Sequence, residues 1–184
     1  MGEASQWENW RRGYRFGVVL IYPPEPLRSI VNALRQQYDP KSQAICDAHI
    51  SLTVPLPRGV DEDDSQELET IAAAHRAFAI QYGPLRHYLP APGVCLRIEP
   101  GQHLDQLRRS LESASCFKGA PSRPYPFSPH MTIAEYITVD RTHELMRALE
   151  RSVPEGEFLC SGVSLAVPDA RFHFDERHRF RFAR

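Results

Sequence analysis

Lysine is almost missing from this chain: Lys41 and Lys118 are its only two, and arginine carries the rest of the positive charge. Nor is there an excess of either sign. A formal charge of −1 excludes a protein that holds long nucleic acid mainly by neutralising phosphates, so any basic site has to be local. The four cysteines, Cys46, Cys95, Cys116 and Cys160, contain no C-x-x-C pair, which argues against a zinc knuckle or a redox dithiol. They read as small buried residues of a reducing compartment. No segment approaches the roughly 20 apolar residues of a membrane span, and MGEASQWENWRRGYRF has no apolar stretch before its arginines. The expectation is a soluble cytoplasmic protein that does not meet a membrane.

What is present is enough apolar residue, 42% of 184, to bury a substantial core as one domain over 1–184. YRFGVVLIYP (14–23) reads as a buried strand stopped by Pro23 and Pro24. PEPLRSIVNALRQQYD (24–39) sets Leu27, Ile30, Val31, Leu34 and Tyr38 at helical spacing. AHISLTVPL (48–56) alternates, with His49, Ser51 and Thr53 on one face and Ile50, Leu52 and Val54 on the other. DEDDS (61–65) opens a further helix, its acids complementing the helix dipole rather than forming a metal cluster. Strands at 79–89 and 93–100, a helix at 101–116 with Leu104, Leu107 and Leu111 on one side, and a proline-rich loop lead into SPHMTIAEY. There His130 and Thr132 share a face while Met131 and Ile133 share the other. Residues 159–167 read as one strand, and 171–183 as a hairpin turning near Asp175 and Glu176, with Phe172, Phe174, Phe180 and Phe182 on its buried face.

The halves repeat. GVVLI, a helix and HISL in the first parallel GVCLRI, a helix and HMTI in the second, over comparable lengths and with another helix after each motif. One His-x-(Ser/Thr)-apolar string is uninformative, because roughly a third of one match is expected by chance in such a chain. Two at equivalent positions of two similar halves are a stronger signal. On HISL at 49–52 and HMTI at 130–133, the latter led in by YPFSP, the chain resembles the two-histidine phosphoesterase superfamily, with its 2′-5′ RNA ligase-like proteins and RNA cyclic phosphodiesterases. The resemblance implies an α+β fold of two pseudo-symmetric lobes, each an antiparallel sheet flanked by helices, with a central cleft to which each lobe brings one motif. It implies an RNA end or nucleotide with a 2′,3′-cyclic or 2′-5′ phosphodiester as partner, and neither metal nor other cofactor.

The residues support the same chemistry. Opening a cyclic phosphodiester takes a base for water on one side and an acid for the leaving oxygen on the other, and two imidazoles with pKa near ~6.5 supply both. His49 and His130 are the expected acid–base pair, in an order the sequence leaves open. Ser51 and Thr132 are expected to bind the phosphate oxygens. For a single strand histidine beside a hydroxyl the ordinary reading is a hydrogen-bonded packing residue; the pairing favours the site. A zinc site is disfavoured, since neither motif brings a third ligand. Arg123 and Tyr125, with Phe127, stand as candidate substrate contacts at the rim or, equally, as a proline-braced plug into the core. The remaining histidines read as surface or packing residues, and RFHFDERHRFRFAR as structure rather than a nucleic-acid strip. The expectation is a monomeric enzyme; a non-catalytic RNA- or nucleotide-binding module using the same cleft is the alternative.

Overall fold

A computed structural model describes residues 11–88 and 91–183. Its elements run β1 (Val18–Ile21), α1 (Leu27–Tyr38), α2 (Pro40–Gln43), β2 (Ile50–Ser51), α3 (Glu62–Ala73), β3 (Phe78–His87), β4 (Gly93–Glu99), α4 (Gly101–Glu112), a 3₁₀ turn (Ser115–Phe117), β5 (His130–Glu135), α5 (Val139–Leu149), β6 (Gly156–Cys160), β7 (Gly162–Pro168) and β8 (Phe174–Arg181). The strands form one antiparallel sheet in the order β6-β3-β4-β5-β2-β1-β7-β8. The repeated β1-α1-β2 and β4-α4-β5 units lie on either side of its centre, so each half of the sheet holds four strands. The halves meet where β2 pairs β5 through Ile50 and Met131. The two antiparallel sheets of the α+β fold expected from the sequence are thus joined along one short seam.

Alternation sorts the sheet's two faces. Val19 and Ile21 of β1, with Ile50 and Met131, pack into the main core, which also takes Leu27 and Val31 of α1, Leu68 of α3, Leu104, Leu107 and Leu111 of α4, and Leu145 of α5. Val18 and Leu20 point the other way, into a small cluster with Cys46, Ala166 and Phe174. The long helices therefore cover one face, and the seam stays open on the other. Asp61 caps α3 in a reciprocal capping box with Asp64, whose carboxylate also takes two hydrogen bonds from Arg58. No helix among the described residues is long and apolar enough to cross a membrane.

Several sequence expectations change. The strand over 48–56 is only Ile50–Ser51, because the amides of both Leu52 and Thr53 turn to the single carbonyl of Val19. Thr53 is thereby buried, and its Oγ1 accepts from Val19 N at 3.0 Å. Residues 159–167 divide into β6 and β7, which lie in opposite halves of the sheet. The hairpin turn comes at Asp169–His173, where Asp169 Oδ1 accepts from the amides of Arg171 and His173, and residues 174–181 are one strand. A bulge between β7 and β8 then shifts the phase of β8: Phe174 packs on the open face, Phe180 and Phe182 in the main core. On α1, Ile30 is 44% exposed, and the buried line continues from Leu27 and Val31 to Arg35.

Candidate active site

The seam builds the site. Ile50 and Met131 are partners across β2 and β5, and both point into the main core. Their neighbours therefore point to the open face, and the antiparallel register sets His49 opposite Thr132 and Ser51 opposite His130. Directly opposed side chains start about 5 Å apart and diagonal ones about 7–8 Å. The result is a rectangle with imidazoles on one diagonal and hydroxyls on the other, over a cavity of ≈ 240 Å³ floored by Val18 and Leu20. All four predicted residues line it.

Each histidine is oriented in the same way. His49 Nδ1 lies 2.6 Å from the carbonyl of Asp47, and His130 Nδ1 lies 2.7 Å from that of Ser128, in each case two residues earlier in the chain. A carbonyl can only accept, so Nδ1 carries the proton and Nε2 is left for the cavity in the neutral ring. Tyr88 meets the His130 ring edge-on, with centroids 4.6 Å apart. Both rings favour the neutral form, and their surroundings differ. Burial chiefly pulls the His49 pKa down to about 4, the cationic Arg35 adds to this, and the Asp47 carbonyl opposes it. Burial likewise lowers His130, with Arg86 adding a smaller push and the Ser128 carbonyl opposing.

Sequence reasoning did not find Arg35. It is 2% exposed and lines the cavity, and its guanidinium donates to Gln43 Oε1 and to the carbonyls of Thr132, Ser42 and Cys46 at 2.9–3.1 Å. A buried cation ringed by neutral acceptors keeps its field, which favours an anion above it. The available signal was a charged residue in the i, i+4 line from Leu27 and Val31.

Glu135 was missed for a different reason. Strict alternation from His130 and Thr132 places it on the core face, but β5 and β4 slip register between Val94 and Cys95, leaving Ile133 as an extra residue. That bulge turns Glu135 back into the cavity. Burial raises its carboxyl to about 7, and Asp39 adds to the rise while Arg35 opposes it. Its backbone amide is held by Asp39 Oδ2 at 3.0 Å.

The cavity opens into an outer groove of ≈ 440 Å³ that shares Ser51, His130, Tyr14 and Tyr88 and runs under the 121–128 loop. Arg123 and Tyr125 line this groove and not the inner cavity. Arg123 braces the loop: it donates to the Leu52 carbonyl at 2.6 Å, pairs with Glu112 at 3.4 Å and lies over the Phe127 ring. Tyr125 is 60% exposed at the mouth. The four cysteines are buried free thiols. Among the described residues, no three or more His, Cys, Asp or Glu are grouped to hold a metal ion.

Residues 23–171 match the model of the 2′-5′ RNA ligase superfamily. The chain belongs to that superfamily. Among curated relatives of this superfamily member, a protein named putative phosphoesterase from Oceanobacillus iheyensis is 27% identical over 74% of this chain and 79% of its own. Another of that name from Bacillus cytotoxicus is 28% identical over 65% and 69%. Among solved structures, LigT of Escherichia coli in complex with 3′-AMP superposes with a TM-score of 0.61 at 17% identity, covering 92% of this chain and 99% of that one. TT0787 of Thermus thermophilus superposes at 0.55 with 15% identity, over 89% and 96%. These likenesses establish the fold.

Proposed function

We propose that this superfamily member is a metal-independent phosphodiesterase acting on 2′,3′-cyclic or 2′-5′ phosphodiesters of RNA ends or nucleotides. The observation that carries the reading is the symmetric clamping of the two imidazoles: each Nδ1–H is held by its own backbone carbonyl, and each Nε2 is left for a group held between them. In hydrolysis, His49 Nε2 takes a proton from water as its oxygen bonds to phosphorus. His130 Nε2–H gives its proton to the ribose oxygen as the P–O bond to it breaks, leaving a phosphomonoester and a free hydroxyl. His49 is assigned as the base because burial first, then Arg35 and the charge of His130, hold its imidazole toward the neutral form. Ser51 and Thr132 donate to the non-bridging oxygens, and Arg35 supplies a fixed positive field from below. The roles of the histidines exchange when the reaction runs towards ligation.

Nucleotide chemistry is further supported by the ligands of LigT from E. coli, which has been crystallised with 3′-AMP, NADP+, ATP and phosphate. Arg123 and Tyr125 then contact the remainder of the substrate in the outer groove. The test is turnover of 2′,3′-cyclic nucleotides, cyclic-phosphate-ended oligonucleotides and 2′-5′ dinucleotides in the presence of EDTA. Wild type is expected to hydrolyse at least one class, and His49→Ala and His130→Ala are each expected to lose roughly 10²–10⁴-fold in rate. Binding without turnover would instead make the cleft a nucleotide-recognition module.

A further inference from the structure

Beside the imidazole rectangle, the inner cavity contains a donor and an acceptor that no step above uses. Ser42 of α2 is 4% exposed and lines the cavity, yet its Oγ has no hydrogen-bond partner. Buried hydroxyls without partners are uncommon and call for an explanation. In the same cavity, the Glu135 carboxyl has been turned inward by the β5 bulge. Ser42 biases that carboxyl toward its charged form, and the two side chains line the same cavity. Both groups are firmly mounted. Asp39 caps α2 by accepting from Ser42 N and also holds Glu135 N, while Arg35 ties the Ser42 carbonyl to that of Thr132 in the phosphate rectangle.

We propose that Ser42 and Glu135 form a hydroxyl-binding subsite that selects substrates with a free sugar hydroxyl next to the phosphoester. A hydroxyl accepts from Ser42 and donates to Glu135, satisfying both at once. A methylene there leaves Ser42 unpaired, and a second phosphate there faces a carboxyl. The inference rests on the phosphoesterase reading and narrows it. A 2′-5′ linkage leaves the 3′-hydroxyl free beside the esterified oxygen, whereas a 2′,3′-cyclic phosphate consumes both. Of the two classes, the acyclic 2′-linked ester is the one that fills the cavity.

Calorimetric binding of adenosine 2′-monophosphate and of 3′-deoxyadenosine 2′-monophosphate to the full chain separates the possibilities. Wild type is expected to prefer the hydroxyl-bearing ligand roughly tenfold to a hundredfold, the cost of leaving a buried polar group unpaired. Ser42→Ala and Glu135→Ala are each expected to bring the two ligands to near equality, mostly by weakening the first, with thermal melts verifying that the variants are folded. Equal affinities in wild type, a comparison that needs no variant, would overturn the subsite and leave the phosphate site standing. Binding of neither ligand would overturn both.

Discussion

Replacing Arg35 by methionine tests how the floor of the cleft is built. The guanidinium holds three backbone carbonyls and one side-chain amide oxygen at 2.9–3.1 Å, and methionine keeps much of the stem while offering none of them a donor. A buried acceptor left without its donor costs about 1–3 kcal/mol. Ser42 O still accepts from the amides of Ile45 and Cys46, so its loss is at the low end. Thr132 O and Cys46 O carry most of the effect, and a net destabilisation of about 3 kcal/mol follows. In a chain of this size that lowers Tm by roughly 6–12 °C. Electrostatics moves with it in a defined direction. Arg35 depresses both His49 and Glu135, so its removal raises both: the imidazole from about 4 toward its ordinary value, the carboxyl above about 7. Thermal unfolding and a histidine-ring NMR titration of Arg35→Met measure the two effects. A Tm within about 2 °C of wild type, or a His49 pKa that stays or falls, would refute the account of Arg35 as the buried cation beneath the site.

Thr132→Ala and Ser51→Ala should each lower kcat with the scissile substrate by roughly tenfold to a hundredfold, somewhat less than a fully enclosed oxyanion donor because the cleft is open to water; unchanged kcat in both would remove the phosphate-binding role. Thr53→Val should cost about 1–3 kcal/mol of stability by leaving Val19 N unpaired while the kcat of the folded protein stays as it was; a catalytic defect at full stability would give Thr53 a part in the reaction. Sulfate, whose own charge is constant across this range, should bind more tightly as pH falls from 7.5 to 5.5. The lowered imidazole pKa values mean that an anion recruits protons to His49 and His130, and protonation of Glu135 below about 7 removes a repelling charge. Calorimetry at the two pH values checks the sign, and a pH-independent affinity would contradict it.

The paired histidines were legible because period-two alternation is a local property: in HISL and HMTI the apolar neighbours Ile50 and Met131 declare which face is core, and the polar pair must take the other. The helices at 27–38, 62–73 and 101–112 were legible from spacing and start signals for the same reason. Where a strand's phase depends on its partner, locality fails. Phe174 and Phe180 part company at a bulge set by β7, and Glu135 enters the cavity only because β4 leaves one residue of β5 unmatched.

What the sequence by itself determined, then, is the repeated unit, its class of fold and the four polar residues that line one cavity. Tertiary structure decided everything that depends on which strands meet. Joining β2 to β5 places the imidazoles on a diagonal, and closing α1 over the seam puts the Arg35 charge beneath them. Bulging β5 delivers Glu135 to the cavity that Ser42 also lines. The physical reason is range: alternation is felt within a few residues, whereas register, burial of charge and the filling of a cavity are settled between segments about a hundred residues apart, as with Arg35 and Thr132.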